Sequence, residues 1–340
     1  MKRIAFILLL LITFEISNTA EASKNKKPAT VIFDTDAGND IDDVLALQML
    51  LNYEKAGKIK LLGVTICKSN PNTIKFLDGY CRYNNRKNIP LGYAYNGVTP
   101  EDGTYLLPTL HAKVNGFPVL KPVRSIESKL PEGYKLIRKL LAGQPDTSVL
   151  LIAVGPLTNI GRLMNSQADE ISPLTGVELV RKKVKLFSTM AGLYTNVFDF
   201  PEWNVISDLE AAKTTFAKCP VKLIASGWEV GNKLLYPHKS ILNDFGNPDR
   251  NPLCIAYQSY MKMPYDRQTW DLTSVLDAVE PDKSWFIHSQ KGTISIGNDG
   301  KSTFIESETG MHQYLTIPEE KVPSTLETLV NRVTGKNNKK

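Results

Sequence analysis

Residues 31–43 read "VIFDTDAGNDIDD". A short apolar run ends, and five aspartates follow within ten positions: Asp34, Asp36, Asp40, Asp42 and Asp43. Like charges this close repel, and a buried carboxylate without a partner is costly. Two readings are open: a solvated acidic turn that caps a helix, or a loop that binds a divalent cation. The flanking segments give the loop its place. "TVIFDTD" (30–36) reads as a strand. "DDVLALQMLLNYEKAG" (42–57) has helical apolar spacing, begins with acids and ends at Gly57. "KIKLLGVTI" (58–66) is the next strand, so the three make a β-α-β unit at the start of a parallel sheet.

The alternation continues. Strands are expected at 148–154, 183–190 and 221–226, and helices after "TNIGRLM" begins at 158, over 207–219 with Ser207 or Asp208 as N-cap, and over 271–281. Residues 292–307 read as a β-hairpin with Asp299-Gly300 in its turn. The fold class is α/β: an open, mostly parallel sheet with helices on both faces, a Rossmann-like core and a C-terminal β-hairpin. The unusual residues stand after strands. Open α/β sheets bind ligands beyond the carboxyl ends of their strands, so these segments are expected to meet at one edge.

The start of the chain has its own logic. A basic beginning, an apolar run from Ile4 to Phe14 and small residues up to Ala22 are the pattern of a secretory signal peptide over residues 1–22. Residues 23–29 read as a disordered linker, 30–335 as a single domain and 336–340 as a disordered basic tail. The net charge of +6 resides in the ends: residues 1–27 carry +3 and residues 336–340 another +3. The body is neutral, which gives no nucleic-acid surface. The four cysteines, Cys67, Cys81, Cys219 and Cys254, show no metal-ligand spacing and are expected to be mostly free thiols.

The acidic loop fails as an EF-hand. Counting from Asp34, Gly38, Asn39 and Leu45 stand at positions five, six and twelve, where ligands, a glycine and a glutamate are needed. A phosphatase of the haloacid-dehalogenase type also starts with a strand and D-x-D, using Asp34 as nucleophile with magnesium. Gly38 stands where that family usually has Thr or Val, and "WDLTSVLD" (270–277) is a poor fit to its later acidic pair. The loop instead resembles the D-x-D-x-G-x-D-D signature of the nucleoside hydrolases (inosine-uridine preferring nucleoside N-ribohydrolases). "AVGPLTN" (153–159), "PEWNV" (201–205) and "TWD" (269–271) are similar to that family's later signatures, in the family's order.

The resemblance implies calcium-dependent hydrolysis of the N-glycosidic bond of ribonucleosides (EC 3.2.2.-), releasing free base and ribose. It implies that Asp36, Asp43, the Val154 carbonyl and Asp271 hold Ca2+, with Asp36 also taking the proton of the attacking water. Five residues, "AGNDI", separate Asp36 from Asp42-Asp43, where the family has three. Matching from the right pairs Asp42 with Asp43; matching from the left would make Asp40 a ligand. Asp42, Asn196, Glu202 and Asn204 are implied ribose contacts, Asn39 is a further candidate, and Asn70 and Met190 match site-facing positions. Many members carry His before the last Asp as general acid. Here that residue is Trp270, as in purine-specific members, and it can stack on a base but not protonate it. Trp203 is expected to extend an aromatic wall, and His111 and His238 lie in segments that approach the base in the family. The implied partner is a small-molecule nucleoside, the implied assembly a homodimer or homotetramer, and the setting periplasmic or extracellular purine salvage. The competing readings are the phosphatase and a nucleoside- or sugar-binding protein that keeps the fold without turnover.

Overall fold

The computed structural model describes residues 27–195 and 197–336. The signal-peptide reading of residues 1–22, most of the linker and tail, and Asn196 lie outside the described residues. Strand β1 (Ala29–Thr35) is buried throughout its last five residues. Val31 and Phe33 face one apolar core and Ile32 the other, so the run is continuous because both faces are covered. The expected linker therefore ends before Ala29, which pairs with Ile59 in the sheet.

β1 is central in a ten-stranded sheet. Its other members are β2 (Ile59–Lys68), β3 (Leu91–Val98), β4 (Val149–Ala153), β5 (Val184–Met190), β6 (Leu223–Ser226), β7 (Ile287–His288), β8 (Gly292–Ile296), β9 (Ser302–Glu306) and β10 (His312–Thr316). The spatial order is β9-β8-β10-β6-β5-β4-β1-β2-β3, with β7 pairing β10. The pairs from β10 through β6 to β3 are parallel, and the hairpin β8–β9 is antiparallel. β10 was not foreseen. It is short and half-polar, and it inserts between the hairpin and β6.

From β1 the chain moves outward to β2 and β3, then returns to β4 on β1's other side. That reversal opens a crevice beyond β1 and β4. Asp36 follows one of these strands and Val154 the other. Helices α1 (Asp42–Lys55), α2 (Pro71–Tyr83), α6 (Trp270–Val279) and α7 (Val322–Thr334) fill the core on one face; α3 (Gly133–Ala142), α4 (Thr158–Asn165) and α5 (Leu209–Lys218) fill it on the other. Asp208 caps α5, accepting from the Ala211 N–H at 3.2 Å. Lys336, placed with the basic tail from sequence, ion-pairs with Asp244 at 2.7 Å. All four cysteines are free thiols. Among the described residues no helix is long and apolar enough to cross a membrane.

Asn159, near the start of α4, ties the strand ends together. Its amide donates to Asp34 Oδ1 at 2.8 Å and to the Ile66 carbonyl at 3.1 Å. Asn159→Leu removes a buried donor from the Ile66 carbonyl and from Asp34, which keeps only Thr65 on that oxygen. It should cost about 3 kcal/mol of unfolding free energy, read from the urea midpoint. A loss under about 0.5 kcal/mol would show that the tie carries no weight.

Candidate metal centre and active site

The first turns of α1 and α6 point at each other. Asp42 and Asp43 begin α1, Asp271 is the second residue of α6, and one carboxylate oxygen from each lies within 4.8 Å of the others. The Asp271 N–H donates to Asp42 Oδ2 at 3.1 Å, and the Thr35 hydroxyl donates to Asp43 Oδ1. All three side chains are buried, and Asp271 Oδ2 has no hydrogen-bond partner. Among the described residues no basic side chain pairs with the triad. Burial first, then repulsion from neighbouring carboxylates, Asp40 and Asp36 among them, holds these carboxyls well above the usual range. Oxygen-only, buried and without a basic partner among the described residues, this donor set fits a hard divalent cation.

Asp36 stands beside the triad. Its Oδ2 accepts from the Asn39 amide at 2.6 Å, and burial pushes the carboxyl up to about 6. Gly155 lies against its other oxygen: a Cβ there would come within 2.4 Å of Asp36 Oδ1, so the "VGP" segment needs glycine. Asp34 points elsewhere. It is fully buried, accepts from Thr65 and Asn159, and does not line the cavity. A nucleophile must reach substrate, so the phosphatase reading of Asp34 fails.

The triad and Asp36 floor a cavity of about 560 Å³, the size range of small-ligand sites. Val154, Met190, Glu202 and Asn204 form one wall. They interlock: the Asn204 amide donates to the Val154 carbonyl at 2.8 Å and to the Met190 carbonyl at 3.0 Å. Glu202 caps a short helix (Trp203–Ser207), accepting from the N–H groups of Asn204, Gly192 and Val205. Burial pushes it up to about 7 against those three donors.

Indoles also line the cavity. Trp270 donates its Nε1–H to the Trp228 carbonyl at 2.8 Å, which fixes the indole in its place along the cavity. Gly231 packs so tightly beneath it that a Cβ would lie 2.4 Å from the Trp270 Cα. Trp228 also lines the cavity, its ring 6.2 Å from that of Trp270, and Trp203 sits at the mouth, 59% exposed. Arg267 lies 5.0 Å from the Trp270 ring centroid and grips Asp40 through two hydrogen bonds.

Several sequence expectations change. Asp40 is committed to Arg267, so the carboxylates gathered at the helix ends are those of the right-hand match. Asn39 lines the cavity but spends its amide on Asp36 and its oxygen on Lys68. Asn70 does not line it: its side chain caps α2 and donates to Asp102 and the Pro100 carbonyl. His111 is exposed at a helix end, and His238 is paired with Asp266; none of the four histidines lines the cavity. Trp228, Arg267 and Glu101 at the rim were not foreseen, although Trp228 stands after a strand like the other site segments.

A family model of inosine-uridine preferring nucleoside hydrolases matches residues 31–306. The chain belongs to this family. It is a nucleoside hydrolase, an enzyme acting on N-glycosyl compounds. Its fold is similar to that of the plant nucleoside hydrolase PpNRh1, with a TM-score of 0.66 at 20% identity over 90% of this chain and 99% of that one. A purine-preferring ribonucleoside hydrolase from Gardnerella vaginalis superposes with a TM-score of 0.67 at 16% identity, covering 90% and 98%. The type III effector protein XopQ, solved with adenosine diphosphate ribose, gives 0.66 at 13%, covering 92% and 94%. No curated protein sequence matches the chain significantly.

This nucleoside hydrolase should show a charge-driven stability profile. Without metal, Asp36 (about 6), Asp34 and Glu202 (each about 7) and the triad hold protons in the folded state that the unfolded chain releases near pH 4. Metal-free stability should therefore fall as pH rises from about 4 through 7. A divalent cation at a hundredfold excess over its Kd adds about 2.7 kcal/mol, and protons compete for its ligands at low pH. Melting with chelator and with calcium chloride should thus show the larger gain at pH 8 than at pH 5. A melting temperature indifferent to calcium at pH 8 would remove the metal reading.

Proposed function

We propose that this nucleoside hydrolase is a calcium-dependent ribonucleoside hydrolase that prefers purine nucleosides and acts after export. One observation carries the reading: an all-carboxylate cluster fit for a metal and a group of indoles line a single cavity. The ion, held by Asp42, Asp43 and Asp271 with Asp36 and the Val154 carbonyl at hand, would activate the attacking water and hold ribose hydroxyls.

The residues divide the remaining work. The water oxygen bonds to C1′ of the ribose while the bond from C1′ to the base nitrogen breaks, its electron pair leaving with the base. The sugar passes through an oxocarbenium-like state, as in other glycoside hydrolysis. Asp36 accepts the proton the water loses. The carboxylates of the floor stabilise the positive sugar, and Glu202 and Asn204 hold the ribose side of the cavity against the protein. The base stacks on Trp270, flanked by Trp228 and Trp203. Trp270 cannot supply a proton, because its N–H is bound to a carbonyl. The leaving base takes its proton from solvent, and stacking on the indole favours the protonated ring. A purine offers the larger face, hence the preference.

Residues 23–340 should release ribose from inosine, guanosine and adenosine faster than from uridine and cytidine, in calcium and not with chelator. Asp36→Asn should lower kcat by about 10³. Trp270→Ala should cost purine nucleosides about 10–100-fold in kcat/KM and pyrimidine nucleosides less. Equal losses for both would sink the stacking argument while leaving the reaction. Export is tested by mass spectrometry of the mature protein, with Ser23 expected as first residue. Light scattering tests the homodimer or homotetramer.

A further inference from the structure

Beneath the cavity floor runs a polar chain that the reaction above does not use. Lys68 is the last residue of β2, and it is fully buried. Its ammonium donates to Asn39 Oδ1, and Asn39 Nδ2 donates to Asp36 Oδ2 at 2.6 Å. An ammonium has donors only. Asn39 must therefore turn its oxygen to Lys68, which leaves the amide nitrogen for Asp36. An ionised Asp36 accepts only and so selects the same end of the amide, and Lys68 holds the Asn39 oxygen from the other side.

The loop is built down onto the lysine. Gly38 has φ +125°, and a Cβ there would meet the Leu106 side chain at 2.8 Å and the Lys68 ammonium at 3.4 Å. The Gly38 N–H donates to the Tyr105 hydroxyl, which donates in turn to the Asp40 carbonyl at 2.9 Å. Asp36 is thus gripped by Asn39 on one oxygen and confined by Gly155 on the other. The buried ammonium takes its hydrogen bond from Asn39 and its charge balance from Asp36, Glu101 and Asp43, so it ties Asn39 to the acidic floor.

We propose that Lys68 is a positioning residue which, through Asn39, fixes the orientation of the Asp36 carboxylate for taking a proton from the attacking water. The proposal rests on the role given to Asp36 above. Nothing here requires Lys68 to touch substrate, and it does not line the cavity.

The test is a double-mutant cycle of Lys68→Met and Asn39→Leu, read by steady-state kinetics on purine nucleosides at saturating calcium and by crystal structures of the variants. Lys68→Met should lower kcat by about 10–100-fold with KM changed less than about threefold, because a misplaced base slows the step without weakening binding. The double variant should fall within about threefold of the worse single, since both break one relay. In the Lys68→Met crystal structure Asn39 should release Asp36. If Lys68→Met fails to fold, Asn39→Leu reads the same relay from its other end, with the same kcat loss and the same shift of Asp36. A folded Lys68→Met with kcat within about twofold of the parent, losses that multiply in the double variant, or an Asp36 that keeps its orientation would each overturn the proposal. If the unmodified chain releases no base from any nucleoside, the proposed reaction falls. The relay is then decided by the orientation of Asp36 in the crystals alone.

Discussion

Three carboxylates at the facing N-termini of two helices, with no basic side chain among them, set the terms for the rest of the molecule. Within 4.8 Å of one another, each ionised pair would repel by about 3 kcal/mol at an effective dielectric constant of 20, and the three pairs by about 10 kcal/mol. That is as large as the whole stability of an ordinary domain. The helix dipoles offset a fraction of it, about 0.3–1 kcal/mol for each exposed charge and somewhat more when buried. The carboxyls must therefore hold protons or share a cation. An acidic helix cap, the bland reading of the sequence, leaves its charges in water, whereas these are buried at the base of a cavity.

The fold can afford this concentration of charge because its two halves arrive from opposite ends of the chain. Asp271 binds Asp42 across 229 residues of sequence. That contact exists only once α1 and α6 have packed side by side over the sheet. Metal binding is accordingly linked to folding, since the unfolded chain offers no such cluster. The reversal of strand order between β1 and β4 does the rest. It places Asp36 and Val154 at one edge and leaves the crevice open above them, while two separate apolar cores hold the sheet rigid beneath.

How much of this was legible follows from the range of each interaction. β1, β2, β4 and β5 were readable because parallel strands buried on both faces leave unbroken apolar runs. The loop at 34–43, "VGP", "EWN" and "TWD" were readable because each follows a strand or opens a helix. What could not be read was who pairs with whom. Asp40 and Arg267 lie 227 residues apart, and nothing local marks them as partners. Asn39 and Asn70 both suit a sugar hydroxyl by residue type. In the fold one supports Asp36 and the other caps a helix against Asp102. β10 was missed because a five-residue strand with mixed polarity carries no period to count.

The two additional loop residues make sense in the same charge account. The longer loop carries Asn39 and Asp40, and each meets a cation from a different element, Lys68 from β2 and Arg267 from the segment before α6. Those two positive groups spend their hydrogen bonds on Asn39 and Asp40, not on the triad, which they reach only through their fields. Three negative charges then remain on the floor. A divalent cation reduces them to about one, facing a sugar that becomes positive as its bond to the base breaks. A floor neutralised in full would bind the nucleoside and its transition state alike, and uniform binding does not speed a reaction. One residual negative charge, fixed in place before the reaction begins, favours the transition state selectively. The loop's length is thereby tied to the charge balance of the site: Asn39 and Asp40 engage Lys68 and Arg267, while among the described residues the triad has no basic hydrogen-bond partner.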